Sequence, residues 1–513
     1  MRLDDIVRTS ADVAATSSKR AKVERLAATL AEVRPDEARV AVAYLSGVLP
    51  DGSIGVGWAS LRDVPPPWDG PAGLEVLDVD ATLRHVSELS GAGSQAARQE
   101  ALHGLFARAT EPEQRFLRGL LMGEIRQGAL EGVMVDAVAK ATGVPTAEVR
   151  RAAMLAGDLG QVAAAALDGG AGALARFRLE VLTPIRPMLA ASAEDVAAAF
   201  ARVRPAAVEW KLDGARIQIH RLDDEVRIYT RNLADVTGRV PEIVETISAV
   251  PSRALVLDAE AIALRDGGRP HPFGVTMSRF GSRSRKDLDR VREEVPLRPF
   301  VFDLLHLDGE DLLDHPAGER FAALEQALPD ALRVPRIVTE DADEAERFLE
   351  DALSRGHEGV MVKALDAPYE AGRRGGSWLK VKRAHTLDLV VLAAEQGHGR
   401  RRGWLSNLHL GARDPATGGF VMLGKTFKGM TDEMLAWQTE RLQELEIRRD
   451  GITVYVRPEL VVEVAFDGLQ VSPRYPGGLA LRFARIKGYR PDKTPADADT
   501  IDTVRAIHEH ATA

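Results

Sequence analysis

A lysine stands between two acids and just before a turn dipeptide near the middle of the chain, in the stretch Glu209-Trp210-Lys211-Leu212-Asp213-Gly214-Ala215-Arg216. Apolar and charged residues alternate from Val208 to Asp213, so an extended strand here would put Lys211 and its acidic neighbours on one face. The Asp213-Gly214 pair predicts a tight turn into a second strand over 215–221, and hence a hairpin with Lys211 beside its turn. A lysine that loses its proton can act as a nucleophile. A surface hairpin with scattered charge would have the same pattern, so this stretch alone leaves both interpretations open.

Two acids in a later segment could hold a metal ion. Residues 254–264 read as a strand in which Asp258 and Glu260, two positions apart, share one face while apolar residues take the other. Oxygen ligands of this kind suit Mg²⁺. An edge strand with a charged outer face is the alternative.

Three further predicted strands carry aromatic, acidic and basic side chains. In 299–309, Phe300 and Phe302 share a face, where they either pack in a core or stack on a flat ligand. The strand over 358–363 begins with Glu358, and the strand over 377–382 alternates so that Lys380 and Lys382 point to one side. Two ammonium groups on one face could reach the same phosphates, although two-lysine faces are also common on solvated strands.

The first part of the chain, to about residue 175, predicts helices and no catalytic constellation. Apolar residues three and four positions apart mark helical stretches at 19–33, 36–45, 113–127 and 146–167. The glycines of 169–172, followed by Pro184 and Pro187, read as a linker into the next domain. The segment from 176 to 384 then mixes short strands with helices.

The last part, from residue 385 to the end, predicts a small β domain. Its strands are predicted at 385–394, 405–412, 419–426 and 452–464, with one helix at 431–445. Strands around a single helix fit an OB-fold barrel, a fold that commonly binds nucleic acid. The tail from Pro495 is polar and at most helical.

Composition limits the class of protein. A chain of 513 residues should hold about three domains. It contains no cysteine, which excludes disulfides and Cys-based zinc sites and suits a reducing cytoplasm. No apolar run approaches the length of a membrane span, so we expect a soluble protein.

The net charge of −9 does not by itself favour nucleic acid as a partner, but basic residues are clustered locally. One cluster is Arg279, Arg283, Arg285, Lys286, Arg290 and Arg292, and a second is Arg373, Arg374, Lys380, Lys382, Arg383, Arg400, Arg401 and Arg402. For the first cluster, a solvated face and a nucleic-acid contact remain equally open.

Lys-Leu-Asp-Gly-Ala-Arg at 211–216 resembles the nucleophile motif of the covalent nucleotidyltransferases, which include ATP-dependent DNA ligases, RNA ligases and mRNA capping enzymes. The segments around Glu260, Phe300-Val301-Phe302-Asp303, Glu358-Gly359-Val360-Met361-Val362-Lys363 and Ser377-Trp378-Leu379-Lys380-Val381-Lys382 follow in the order found in DNA ligases. Thr183–Ala190 and 482–493 are also similar to ligase patterns, although Ala484 and Gly488 depart from the usual last motif. The missing cysteines count against the NAD-dependent ligases, which carry a zinc finger.

The resemblance implies a three-domain architecture. It has an all-α DNA-binding domain at 1–175, an α+β nucleotidyltransferase domain for adenylation at 176–384 and an all-β OB-fold domain at 385–513. The stretch Leu121–Gly128 is weakly similar to a segment of the ligase DNA-binding domain.

The resemblance also implies roles for individual residues. Lys211 would attack the α-phosphate of ATP, Glu209 would contact the adenine edge, and Phe300 rather than Phe302 would stack on the base. Glu260 and Glu358 would hold Mg²⁺ or Mn²⁺, with Glu260 also close to the nucleotide. The other residues expected on the nucleotide or its phosphates are Arg216, Arg231, Arg374, Lys380, Lys382 and Arg485. Arg485, Arg490, Asp492 and Lys493 would close over the pyrophosphate in the first step.

The implied activity is that of an ATP-dependent DNA ligase, which seals nicks in double-stranded DNA. We expect a monomeric, cytoplasmic enzyme without a membrane partner. The alternatives are an RNA ligase or capping-type guanylyltransferase that uses the same lysine, and a non-catalytic DNA-binding scaffold. The intact set of Lys211, Glu260, Glu358 and Lys380 argues against the scaffold.

Overall fold

A helical domain opens the chain. The computed structural model describes residues 1–513 except 53, 92, 126, 128–130, 282–284, 371–373, 383–384, 399–400 and 513, and except the side chains of 59, 285–289, 374 and 510–512. The helices are α1 (Leu3–Ala14), α2 (Lys19–Ala31), α3 (Ala38–Leu45), α4 (Val76–Glu88), α5 (Ser94–Phe106), α6 (Glu111–Leu121), α7 (Glu131–Thr142), α8 (Thr146–Ala156) and α9 (Leu159–Leu174). Their apolar stripes form one continuous core, in which Phe116, Leu117 and Leu120 from the predicted helical stretch at 113–127 are buried.

Two predictions about these helices are wrong in detail. The predicted helix over 146–167 is two helices, because Gly157 adopts a left-handed conformation with φ 68° and Asp158 caps α9 through the amides of Gly160 and Gln161. The glycines at 169–172 lie inside α9, at a kink, rather than in the linker. The connection to the next strand therefore runs between Leu174 and Leu189.

Two antiparallel-rich sheets and their helices form the middle of the chain. The elements are β1 (Leu189–Ser192), α10 (Val196–Phe200), β2 (Ala206–Lys211), β3 (Ala215–Leu222), β4 (Glu225–Thr230), α11 (Pro241–Ser248), β5 (Ala254–Ala263), α12 (Phe273–Gly281), α13 (Arg285–Glu294), β6 (Leu297–Leu307), β7 (Glu310–Asp311), α14 (Ala317–Ala327), β8 (Arg336–Thr339), α15 (Ala342–Ser354), β9 (Gly359–Ala364) and β10 (Arg374–Lys382). The first sheet has the order β1-β10-β9-β2-β8 and the second has the order β4-β3-β5-β6-β7.

The predicted hairpin at Asp213-Gly214 does not form. β2 pairs with β8 and β9 in the first sheet, whereas β3 pairs with β4 and β5 in the second. The turn instead carries the chain from one sheet to the other, tightly against β5: a Cβ on Gly214 would lie 2.4 Å from the carbonyl oxygen of Ala261. Lys211 therefore stands at the crossing between the two sheets.

The last part of the chain is a β-rich domain, as predicted. Its elements are β11 (His385–Gln396), β12 (Leu405–Arg413), β13 (Phe420–Thr426), α16 (Asp432–Glu444), β14 (Glu446–Asp450), β15 (Thr453–Val456), β16 (Val461–Phe466), β17 (Gly468–Val471), β18 (Leu479–Arg482), β19 (Arg485–Tyr489) and α17 (Ile501–Thr512). The long strand β11 pairs with β12, β15 and β16, and Leu435 and Leu442 of α16 pack in the core of this domain. The predicted strand over 452–464 is in fact two strands, β15 and β16.

Among the helices that the structure describes, none combines the length and the apolar character needed to cross a bilayer.

Candidate active site

One face of the first sheet carries the charged residues of the lysine motif. Val208, Val360, Val362 and Leu379 point to the core under α10 and α15, so Glu209, Lys211 and Lys382 take the opposite face. This is the alternation that the sequence predicted.

The second sheet carries a corresponding row of side chains that faces the cleft between the two sheets. Arg216 on β3, Glu260 on β5 and Phe300 on β6 are paired in register, so their side chains share a face. Ile217, Ala259 and Val301 belong to the core on the other face.

Lys211 and Lys382 are both bound to one oxygen of Glu358. The ammonium of Lys211 contacts Glu358 Oε2, and Lys382 Nζ lies 2.7 Å from the same atom. Burial alone lowers the pKa of Lys211, but the negative charges of Glu358, Glu260 and Asp213 outweigh burial and raise it above its ordinary value. Burial raises the pKa of Glu358, and the two lysines outweigh burial and lower it. In the free protein, Lys211 is thus held as a cation.

Gly359 lets these groups approach. It begins β9 directly after Glu358 and pairs with Lys211 on one side and Lys382 on the other. Its φ is +147°, and a Cβ would lie 2.2 Å from the carbonyl oxygen of Val381. A side chain here would force β9 and β10 apart.

Glu260 is a half-buried carboxyl group close to Lys211 and Arg216. Burial raises the pKa of Glu260 to about 7, with Lys211, Arg216 and the amide of Gly214 acting in the opposite direction. A bound cation would favour the ionised form of this carboxyl.

Glu209 lies beneath the cleft and is only 1% exposed. Arg336 Nε donates to its Oε1 at 2.8 Å, and Lys363 Nζ lies 2.6 Å from its Oε2. Arg336 comes from β8 and Lys363 from β9, the two strands that flank β2.

Arg216 is fixed by three hydrogen bonds to two residues, Asp258 and Met188. Its Nε donates to Asp258 Oδ1 at 2.9 Å, its Nη1 donates to the carbonyl oxygen of Met188 at 2.6 Å, and its Nη2 lies on Asp258 Oδ2. The hydroxyl of Tyr369 donates to Asp258 Oδ2 at 2.7 Å. Asp258 is therefore occupied by Arg216 and Tyr369, which corrects the prediction that it joins Glu260 as half of a metal-binding pair.

The C-terminal domain reaches the lysine loop. Arg482 Nη1 lies 2.9 Å from Asp213 Oδ2, and Asp467 lies between Lys382 at 3.5 Å and Arg485 at 3.4 Å. Arg485 thus meets the site indirectly, through Asp467. Arg490 and Lys493 bind Asp388 of their own domain, so this conformation does not bring them onto Lys211.

The remaining predicted residues are less closely grouped. Phe300 and Phe302 both pack against Leu212, Ile262 and Val334, and the ring of Phe302 also lies 6.0 Å from that of Trp378 and is close to Arg216 and Lys363. Lys380 pairs with Met361, which pairs with Glu209. Arg231 is exposed in the turn after β4, and the side chain of Arg374 lies outside the described residues.

The basic cluster between residues 279 and 292 is largely bound to acids. Arg279 is fully buried against Glu242, and Arg290 and Arg292 pair with Glu294 and Glu245. The other members of that cluster, Arg283, Arg285 and Lys286, lie outside the described residues or side chains, as do Arg373, Arg374, Arg383 and Arg400 of the second cluster.

Sequence reasoning missed Arg336, Lys363 and Tyr369. A usable signal existed for two of them, because a lone Arg or Lys in an otherwise apolar strand, as in Val334–Val338 and Val360–Lys363, requires a buried partner. No local signal marks Tyr369, which lies in the loop between β9 and β10.

The acidic residues of the site could supply only some of the ligands of a divalent ion. Glu260 and Glu358 supply two carboxylates beside Lys211, and the part of the chain that the structure describes contains no cluster of three or more acidic or histidine ligands. Mg²⁺ commonly binds one or two protein carboxylates and completes its shell with phosphate oxygens and water. The donor set therefore fits an ion that arrives with a nucleotide.

Comparisons with known proteins agree with this architecture. Three family models match the chain: "DNA ligase N terminus" at residues 60–139, "ATP dependent DNA ligase domain" at 187–382 and "ATP dependent DNA ligase C terminal region" at 401–493. A probable DNA ligase of Anaeromyxobacter dehalogenans (strain 2CP-C) is 61% identical over 99% of this chain and 100% of that protein. A probable DNA ligase of Sorangium cellulosum (strain So ce56) is 58% identical over 100% of this chain and 96% of that protein.

A solved structure named Pmar-Lig_PreS3 superimposes with a TM-score of 0.62 over 94% of this chain and 99% of that chain. At 19% identity, it indicates a shared fold. The matching family models and the near-complete relatives make the chain a member of the ATP-dependent DNA ligase family.

Proposed function

We propose that this ligase seals nicks in duplex DNA that carry a 5′-phosphate and a 3′-hydroxyl, through a lysyl-AMP formed on Lys211. The observation that carries the proposal is the position of Lys211 on Glu358 and near Glu260, with Lys382 on the same carboxylate oxygen. These residues lie within the segment that matches the ATP-dependent ligase domain. A nucleophile surrounded by such groups suits phosphoryl transfer, in which positioning and charge stabilisation dominate.

The first requirement is a neutral lysine. Mg²⁺ or Mn²⁺ held by Glu260 and Glu358 would supply positive charge to the reacting phosphate and compete with Lys211 for Glu358. When Glu358 no longer pairs with Lys211, burial lowers the pKa of the ammonium and favours loss of its proton.

The reaction then proceeds in three steps, and each step forms one bond to phosphorus and breaks another. Lys211 Nζ forms a bond to the α-phosphorus of ATP while the bond to pyrophosphate breaks, and Lys380 and Lys382 stabilise the phosphate charge. The 5′-phosphate of the nick next displaces Lys211 from the AMP. The 3′-hydroxyl finally attacks that 5′-phosphate and releases AMP, with Arg216 and Arg231 on the phosphate groups.

The three parts of the chain would divide this work. We propose residues 1–175 as a DNA-binding domain, 176–384 as the adenylation domain and 385–513 as an OB-fold domain that closes on the site. The salt bridge between Asp213 and Arg482 supports a role for closure. We further propose a monomer that works in the cytoplasm, which a chain without cysteine suits.

The decisive experiment follows label from ATP to DNA. Protein washed with pyrophosphate is incubated with α-labelled ATP and Mg²⁺, and then with a nicked DNA duplex. We expect covalent label on the wild type and on Lys19→Ala, an exposed lysine in α2, but none on Lys211→Ala. The label should leave the protein as sealed strand appears.

Two results would contradict the proposal. Label on Lys211→Ala would show that another residue is the nucleophile. Label that nicked RNA removes and nicked DNA does not would show that the substrate is an RNA end.

A further inference from the structure

Two cations hold one buried carboxylate at the base of the cleft. Arg336 contributes Nε at 2.8 Å and Nη2 at 2.6 Å to Glu209 Oε1, and Lys363 Nζ lies 2.6 Å from Oε2. Lys363 and Glu209 are each 1% exposed. Each carboxylate oxygen therefore has its own cation, and the carboxylate cannot rotate without breaking one of these contacts.

The same two cations bind the opposite sheet. Arg336 Nη2 donates to the carbonyl oxygen of Phe302 at 3.0 Å, and Lys363 Nζ donates to the same oxygen at 3.3 Å. Glu209 lies on β2 in the first sheet and Phe302 on β6 in the second. Arg336 and Lys363 thus fix the distance between Glu209 and the strand that carries both candidate stacking rings.

Aromatic rings enclose the clamp. Lys363 Nζ lies 4.3 Å from the ring centre of Trp378 and 4.6 Å from that of Phe302, and Arg336 stacks 3.6 Å from the ring centre of Phe321. Ring faces stabilise cations that have lost water, and they also keep water from competing for Glu209. Arg336 and Lys363 are therefore shielded from solvent, and neither is free to reach the reacting phosphate.

Carboxylate oxygens that face a cation on each side offer only lone pairs, so Glu209 can only accept hydrogen bonds from a bound base. A fixed acceptor of this kind favours binding of a base that presents an N–H donor to it. It disfavours binding of a base with a carbonyl oxygen or a C–H at the same position. Adenine presents an exocyclic amine and guanine presents a carbonyl oxygen at the corresponding carbon.

We propose that Arg336 and Lys363 are positioning residues of the nucleotide-base pocket, which hold Glu209 as a fixed acceptor and thereby set the preference for an amino-purine triphosphate. This inference rests on the proposed function, because it takes ATP as the ligand and Glu209 as its base-edge contact. The ligase would then discriminate between purine bases because the carboxylate of Glu209 is held in place and scarcely accessible to water.

The test compares ATP with purine riboside triphosphate, which lacks only the exocyclic amine. Rates of self-adenylation give KM and kcat for both nucleotides, and binding to proteins that also carry Lys211→Ala gives affinities without any covalent step. The variants are Lys363→Met and Arg336→Lys. Arg279→Met is the matched control, because Arg279 is a fully buried arginine paired with Glu242 on α11, away from Glu209.

For the wild type, kcat/KM for ATP should exceed that for purine riboside triphosphate by on the order of tenfold or more, since the analogue lacks one hydrogen bond to a charged group. Lys363→Met should reduce this preference to about twofold or less, mainly by raising the KM for ATP with a smaller change in kcat. Arg336→Lys keeps the charge but loses the forked contact, so it should give an intermediate ratio. Arg279→Met should keep the wild-type ratio even if it lowers Tm.

A clamp with only a structural role would weaken both nucleotides equally and leave the ratio unchanged. A wild-type ratio in Lys363→Met and Arg336→Lys would therefore overturn the inference while the ligase function stands. If Lys363→Met fails to fold, Arg336→Lys decides. Wild-type protein that neither binds nor is labelled by ATP would overturn the proposed function and this inference together.

Discussion

Asp213 Oδ2 lies 2.9 Å from Arg482 Nη1, so the loop after Lys211 is bound by a residue 269 positions further along the chain. Burial and the nearby charge of Glu358 raise the pKa of Asp213, and Arg482 acts against both. The side chain of Asp213 is 25% exposed and that of Arg482 is 20% exposed. The contact therefore joins the C-terminal domain to the loop after Lys211, and water only partly screens the attraction between the two charges.

Replacing Arg482 with Met should loosen the C-terminal domain. An ion pair of this kind contributes on the order of 1 kcal/mol, enough to shift a balance between closed and open forms about fivefold. Small-angle scattering should show a larger radius of gyration for Arg482→Met than for wild type at low salt. Arg441→Met, which removes an arginine that pairs with Glu444 inside its own helix, should leave the radius unchanged. Equal radii for all three proteins would show that the salt bridge does not hold the domains together.

Glu260→Gln should stabilise the free protein at high pH. Burial raises the pKa of Glu260 to about 7, above its ordinary value of 4.5, so the folded state binds this proton more tightly than the unfolded state. Stability from this group is therefore present at low pH and is lost as pH rises from about 4.5 through 7. The amide cannot ionise, so the variant should gain on the order of 2 kcal/mol at pH 8 and nothing at pH 4.5.

Thermal unfolding at the two pH values measures this difference. Glu293→Gln, an exposed glutamate in α13, controls for the loss of one negative charge. Adding Mg²⁺ and ATP at pH 8 should raise the Tm of wild type more than that of Glu260→Gln if this carboxylate binds the metal. A Tm difference that is the same at both pH values would mean that Glu260 does not titrate as described.

The sequence was sufficient to predict which side chains share a face. Period-two alternation placed Glu209 and Lys211 opposite Val208, and it placed Lys382 opposite Leu379 and Val381, as observed. These assignments depend only on neighbours in the chain. The helical, mixed and β-rich parts were predicted for the same reason.

Strand pairing could not be predicted in the same way, because it depends on residues far apart in the chain. The Asp213-Gly214 turn is locally compatible with a hairpin in which β2 pairs with β3. In the structure, however, β2 pairs with β9 and β3 pairs with β5. Asp258 looked like a metal ligand because its partner, Arg216, lies on another strand. Partners of buried charges thus emerged only from the tertiary structure.

Phe302→Leu should raise the KM for ATP more than Phe300→Leu does. The sequence favoured Phe300 as the stacking residue, and that remains a prediction. The competing choice is Phe302, because its ring lies 4.6 Å from Lys363, which pairs with Glu209. A ring stacked on a base contributes on the order of 1–3 kcal/mol, so we expect a KM increase of roughly tenfold.

Self-adenylation kinetics of both variants decide between the rings. Tm serves as the control for packing, because Phe302 also touches Trp378. A larger KM for Phe300→Leu, with Phe302→Leu changing only Tm, would restore the sequence-based choice.

Gly359→Ala should abolish adenylation without removing any functional group. The new methyl group would lie 2.2 Å from the carbonyl oxygen of Val381, and the φ of +147° is one that alanine rarely adopts. β9 must then move away from β10, which separates Glu358 from Lys382 and disturbs Lys211 at the same register position. We expect the rate of self-adenylation to fall at least a hundredfold, because displacements of about 1 Å at a reacting centre have effects of this size.

Gly488→Ala is the matched control, because a Cβ there meets no atom within 4 Å. It should keep both the adenylation rate and the Tm of wild type. Gly359→Ala should also lower Tm, and raising the ATP concentration should not restore its rate, since the defect lies in the distance between reacting groups rather than in nucleotide affinity. A Gly359→Ala protein that adenylates normally would mean that β9 and β10 can separate at this point while Lys211, Glu358 and Lys382 stay in place.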